Sequence, residues 1–155
     1  VHLGRLARYL RMLGFDTSWR RDWSDSGIID RALEEGRIIL TRDVGILKQK
    51  RVTHGYWLRS TRPERQLAEV VHALDLRRQA KPFTRCMECN GQIRPVARED
   101  LAERVDPDIL ARFETFRECA ACGRVYWWGS HWRRMLQIVQ RVTPCEDPVV
   151  LVTRP

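Results

Sequence analysis

Long apolar runs are missing from this sequence: no stretch of its 155 residues approaches the roughly 18 that a membrane-spanning helix needs. The opening residues do not read as a secretory leader either, so the expectation is a cytoplasmic protein with no membrane partner. The chain opens on Val1 rather than Met, as a processed form or a piece of a longer protein would. Nucleophile chemistry has no visible basis, because no Ser/His/Asp or Cys/His arrangement stands at a recognisable spacing. A glycine-rich phosphate cradle is absent as well, and no small-molecule substrate is expected. Lysine is scarce, at three of the 28 basic residues.

What is present is arginine. Twenty-five arginines dominate a net charge of +8, and hydrophobic residues at 43% with charged ones at 31% describe a globular chain. Arginine forks match phosphate geometry and stack on bases, which suits a nucleic-acid partner; a GC-rich coding bias gives the same composition. The surplus is uneven. Residues 1–84 carry 17 basic side chains against 10 acidic ones, whereas residues 85–155 carry 11 against 10.

Five cysteines are too few and too regularly paired for a disulfide framework. Cys86-Met-Glu-Cys89 and Cys119-Ala-Ala-Cys122 stand 29 residues apart, leaving Cys145 as a spare thiol. Each pair offers two thiolates from one tight turn, and two such turns close a tetrahedron around Zn²⁺ with no open position. The ion is therefore expected to be structural, and the ribbon to fold only with it. Gly91 and Gly123 follow the pairs, where a knuckle turn calls for positive φ.

Periodicity gives the rest of the outline. Leu3, Leu6, Leu10 and Leu13 share one helical face, with Arg5, Arg8 and Arg11 on the opposite one, and Gly14 ends the helix. Residues 15–18 fit a short strand. Ser24 or Asp25 caps a second helix that runs to Gly36. Arg37-Ile38-Ile39-Leu40-Thr41 reads as a buried parallel strand, 44–50 as a helix, and 56–58 as another strand. Leu67, Val70, Val71 and Leu74 mark an amphipathic helix. Alternation of this kind predicts an α/β layer with a mainly parallel sheet over residues 1–82. Residues 83–142 are expected to form the ribbon, with an insert at 98–116 and a closing helix around Trp132, Met135, Leu136 and Val139. Residues 143–155 read as a tail in which 149–152 adds an edge strand.

Functional side chains of parallel sheets gather outside the carboxyl ends of the strands. Asp43 directly follows the expected buried strand, and Asp25 begins the helix that feeds it. Carboxylates converging there suit Mg²⁺ or Mn²⁺, which take hard oxygen ligands and can prepare a water to attack a phosphodiester. The plainer role for both residues is helix capping.

At these residues a family likeness enters. Leu3-Gly4-Arg5-Leu6-Ala7-Arg8-Tyr9-Leu10-Arg11-Met12-Leu13-Gly14-Phe15-Asp16-Thr17 resembles the opening of the Mut-seven C-terminal RNase domain family. Gly36-Arg37-Ile38-Ile39-Leu40-Thr41-Arg42-Asp43, Arg85-Cys86-Met87-Glu88-Cys89-Asn90 and Gly123-Arg124-Val125-Tyr126-Trp127-Trp128-Gly129-Ser130-His131-Trp132 follow in the family's order. The resemblance implies a PIN-like nuclease domain joined to a four-cysteine zinc ribbon, with RNA as substrate. It also implies that Asp43 and Asp25 belong to an acidic catalytic metal set, completed by an Asp at the end of a strand preceding the quoted residues.

Two function classes follow. One is a metal-dependent ribonuclease, a hydrolase of RNA phosphodiester bonds, whose ribbon and arginine stripe position the RNA. The other is a noncatalytic RNA-binding or ribosome-associated module whose carboxylates only cap helices. Arg5, Arg8, Arg11, Arg42 and His131 are the candidate RNA contacts in either case, against the ordinary alternatives of a solvated stripe, a balancing charge and a packed ribbon histidine. Trp127, Trp128 and Trp132 serve base stacking or the ribbon's own core. The oligomeric state is not legible.

Overall fold

The computed structural model describes residues 3–143. The leucine stripe forms helix α1, Gly4–Met12. Its stop is a double bond-back: Gly14 N–H donates to the Arg11 carbonyl at 2.9 Å and Phe15 N–H to the Leu10 carbonyl at 3.0 Å. Gly14 holds φ at 90°, which a residue without Cβ adopts freely. A Cβ at Gly14 would also run into the Lys81 carbonyl, and the Lys81 N–H itself donates to Leu13 O at 2.9 Å. Gly14→Ala is therefore expected to cost about 3 kcal/mol, from backbone strain plus displacement of the 81–84 segment. Gly36, at φ 62° with nothing within 4 Å of where a Cβ would stand, is the control. Its alanine variant should lose only about 1 kcal/mol. Thermal melts of the two variants check this, and equal losses would remove the Lys81 contact from the account.

Ser24 caps α2, Asp25–Glu35, by accepting the Gly27 N–H at 3.2 Å. Strand β1, Ile39–Thr41, leads into the single turn of α3, Val44–Leu47. Strand β2, Gly55–Trp57, pairs parallel with β1, placing Leu40 opposite Tyr56. Helix α4, Pro63–Ala73, starts with proline in its first turn, where the missing N–H costs nothing. Three expectations need correcting. Residues 15–18 form no strand, because the Thr17 N–H is taken by the Asn90 side chain at 3.1 Å instead of a neighbouring strand. The helix after Asp43 is one turn rather than seven residues. Among the described residues the parallel sheet has only the strands β1 and β2. The fold is mixed α/β with two small sheets.

The second sheet is antiparallel, in the order β3, Ile93–Val96, then β4, Phe116–Cys119, then β5, Val125–Trp127. The insert between β3 and β4 contains a 3-10 turn, Arg98–Leu101, and helix α5, Pro107–Arg112. Arg104 ties that insert down, donating to Glu118 at 3.0 Å and to the Gly123 carbonyl at 2.5 Å. Arg94 and then Arg104 hold the Glu118 carboxyl below the usual range. Helix α6, Ser130–Val142, is the last helix among the described residues. Its Met135, Ile138, Val139 and Val142 join Leu6, Leu10, Leu67, Val70 and Val71 in one core. The helix expected to close the ribbon thus packs on the first part of the chain, where each fully buried leucine contributes about 2 kcal/mol. Cys145 and the expected edge strand at 149–152 lie outside the described residues. No helix among the described residues is long and apolar enough to cross a membrane.

Candidate metal centre and carboxylate edge

The sulfur atoms of Cys86, Cys89, Cys119 and Cys122 all lie within 4.8 Å of one another. Cys86 and Cys122 stand 3.7 Å apart, Cys89 and Cys119 3.4 Å. A tetrahedron with zinc–sulfur bonds of about 2.3 Å has edges of nearly this length, roughly 3.8 Å. Both pairs sit in the same turn: Asn90 N–H donates to Cys86 O, and Gly123 N–H to Cys119 O, each at 2.9 Å. Asn90 and Gly123 take φ values of 71° and 72°. The left-handed residue of the first knuckle is therefore Asn90, not Gly91 as expected. Gly91 matters for space, since a Cβ there would come within 2.8 Å of Cys119 Sγ and of the Ala121 methyl. Four thiolates in this arrangement could hold a metal ion such as zinc, and an ion so held would have no open coordination position.

Around the sulfurs lie partners that spacing alone did not announce. Tyr126 places its hydroxyl 3.0 Å from Cys86 Sγ, within hydrogen-bond reach of the sulfur. Burial works to raise the Cys86 thiol, but the bonds from Tyr126 and from the Cys89 and Glu88 amides outweigh it and hold that thiol at about 7. Burial pushes Cys89 up to about 12 and lifts the Tyr126 hydroxyl above its ordinary value.

The first knuckle is fastened to α1. Arg11 is only 6% exposed, and its guanidinium donates to Thr17 O at 2.8 Å, Met87 O at 3.1 Å and Glu88 O at 2.8 Å. Arg11 therefore leaves the solvated stripe: it lies on the helix flank that the knuckle covers, and it is not displayed for RNA. Beside it, Asn90 donates to Asp16 at 2.7 Å while Arg37 grips the same carboxylate at 3.0 and 3.2 Å. The Arg37 bonds foremost, with that of Asn90, keep the Asp16 carboxyl below the usual range. Arg8 pairs with Glu88 at the surface. Arg5 is exposed on the same helix, and His131 is exposed in the first turn of α6.

The candidate carboxylates stand on either side of β1 along the chain. Asp43 caps α3, its Oδ1 accepting the Gly45 N–H at 2.7 Å, while its own N–H donates to Thr41 Oγ1 at 2.9 Å. Asp25 is the exposed first residue of α2. Helix α2 leads into β1 and packs beside it. Ile29, Ile39 and Ile46 pack together and fix that arrangement. Trp57 is exposed, and its indole N–H donates to Arg42 O at 3.3 Å. The Arg59 guanidinium lies 5.7 Å from the Trp57 ring. Glu69 holds the loop behind it, accepting the Arg59 N–H at 3.0 Å and the Ser60 N–H at 3.2 Å. Oxygen donors of this kind suit Mg²⁺ or Mn²⁺, which commonly use one or two carboxylates. The four cysteines are the one group of three or more metal-ligating side chains that converges among the described residues.

No curated protein and no solved structure matches the chain. The family model described as Mut7-C RNAse domain matches residues 1–139, taking in the α1 segment, Asp25, Asp43 and both cysteine pairs. A match over nearly the whole chain, carrying both features of the site, places this protein in the Mut7-C RNAse domain family.

Proposed function

We propose that this protein is a PIN-like ribonuclease that hydrolyses RNA phosphodiester bonds at the edge formed by Asp43 and Asp25, with the zinc ribbon as its structural support. The observation that carries the reading is the position of Asp43, directly after the carboxyl end of the parallel strand β1. Asp43 commits one carboxylate oxygen to the Gly45 N–H and turns the other to no protein donor among the described residues. A Mg²⁺ or Mn²⁺ ion held there would supply the charge that steadies a scissile phosphate and acidifies a water. Arg42 beside Asp43 neutralises a neighbouring phosphate, and Arg5 and Arg8 add positive charge along α1. The zinc ion, closed by four sulfurs, takes no part in the reaction.

The test is RNA cleavage by the full-length protein with Mg²⁺ or Mn²⁺, beside its Asp43→Asn variant. Asparagine keeps the helix cap, so the substitution removes charge without removing the turn. Cleavage should fall by at least about 10- to 100-fold, the loss already seen when only a partner of a metal ligand is removed. A second reading has its own support: the Asp43 bond to Gly45 N–H is all a capping residue needs, which favours a noncatalytic RNA-binding module. Equal RNA binding by both proteins, with no cutting across a broad panel of RNAs, establishes that module instead.

A further inference from the structure

Between the ribbon and α6 runs a groove with almost wholly apolar walls. Phe83, Trp127, Trp128 and Trp132 form much of it, with Met87 and Met135 filling the gaps. Trp132 lies against Phe83 with ring centres 3.6 Å apart, and Trp128 meets it edge to face at 3.8 Å. Trp127, Trp128 and Trp132 all remain half-buried rather than sealed into the core. Two arginines stand at the groove, Arg85 and Arg117. Arg85 donates to Asn90 O at 3.0 Å and reaches toward Asp16 only at 4.0 Å, a carboxylate already held by Arg37. Arg117, in the middle of β4, has no ion-pair or hydrogen-bond partner for its side chain among the described residues.

Aromatic faces beside the unneutralised Arg117 guanidinium, on a chain of net charge +8, call for an anionic ligand that also carries flat apolar rings. We propose that this groove binds an unpaired base of single-stranded RNA, with the adjoining backbone phosphate on Arg117. The inference rests on RNA being the partner and does not rest on cleavage. A duplex cannot use these rings, because its bases are stacked on one another and only a splayed-out base can lie against them.

The test is fluorescence anisotropy with a labelled oligouridylate of about ten nucleotides, a length in the range single-strand sites cover, in buffer without Mg²⁺ or Mn²⁺. Arg117→Ala is expected to weaken binding at least 5-fold and to lower the slope of log affinity against log salt by about one. Trp128→Leu should weaken binding by about 5-fold or more, as loss of one base stack does. Zinc content and the melting transition of each variant confirm the fold, and Arg117→Ala alone decides the matter if the tryptophan variant fails to fold. Binding is read without Mg²⁺ or Mn²⁺ and without any cutting step, so a failed nuclease reading leaves this result standing. Unchanged oligouridylate binding by both groove variants overturns the proposal. So does unchanged RNA binding accompanied by loss of self-association in sedimentation, which gives the groove to a second copy of the chain.

Discussion

Cys119→Ser is expected to leave the protein without zinc and without its ribbon. The ribbon's three strands are three to four residues long, and a lone small sheet of that size has little apolar area to hold it. Structural zinc sites of this type bind with apparent free energies of about 10–16 kcal/mol, as large as the whole stability of a small domain. The damage should spread. Helix α6 follows the second knuckle by a few residues and supplies Met135, Ile138, Val139 and Val142 to the common core. Freed at its start, it loosens α1 and α4 with it. The expected result is zinc content near zero, loss of the near-ultraviolet signal from Trp127, Trp128 and Trp132, and a melt lowered by more than about 10 °C for the remainder. Chelation should reproduce this, more readily as pH falls, because the ligands must be thiolates. An unchanged melt in metal-free protein would show that the sulfurs cluster without the ion.

How far the sequence carried can be judged residue by residue. The four-cysteine cluster was legible because its geometry is local: two cysteines three apart in a turn define half a tetrahedron, and only the pairing of halves is long-range. The start of α2 and the stop of α1 were legible for the same reason, through Ser24 and Gly14. Residues 15–18 looked like a strand, but extended backbone needs a partner. The partner turned out to be the Asn90 side chain, 73 residues away from Thr17. The left-handed position in the first knuckle fell on Asn90 because asparagine tolerates that conformation, while Gly91 is small for the sake of the sulfurs packed on it. Trp57, exposed and bonded to Arg42 O, escaped notice because a tryptophan in a strand normally faces inward. The one signal for the Tyr126 bond to Cys86 was its place four residues after Cys122, too weak to name a partner.

Arg11 is where the helical wheel misled most, and there a substitution should tell most. On a wheel it continues the stripe of Arg5 and Arg8; in the fold it reaches carbonyls 76 and 77 residues away. Arg11→Met keeps much of the side chain's length and packing but removes every donor. Three carbonyls, at Thr17, Met87 and Glu88, then lose their partner in a half-buried seam. Unmade bonds of this sort cost about 1–3 kcal/mol each when buried and less when water reaches them, so a loss of about 3 kcal/mol is expected in total. For a chain of this size that lowers the melt by roughly 6–12 °C. Arg11→Lys should recover only part of it, because a point charge cannot serve three acceptors held in a fork's geometry. Arg8→Met, which breaks an exposed pair with Glu88, should cost less than about 1 kcal/mol. Zinc release by a competing chelator gives a second readout: the Met87 and Glu88 carbonyls belong to the peptide units between the first two ligands, so the Arg11 variant should give up its metal faster and the Arg8 variant should not. A folded, zinc-loaded Arg11→Met protein with an unchanged melt and weakened RNA binding would return this arginine to the solvated stripe, and with it the simple reading of the wheel.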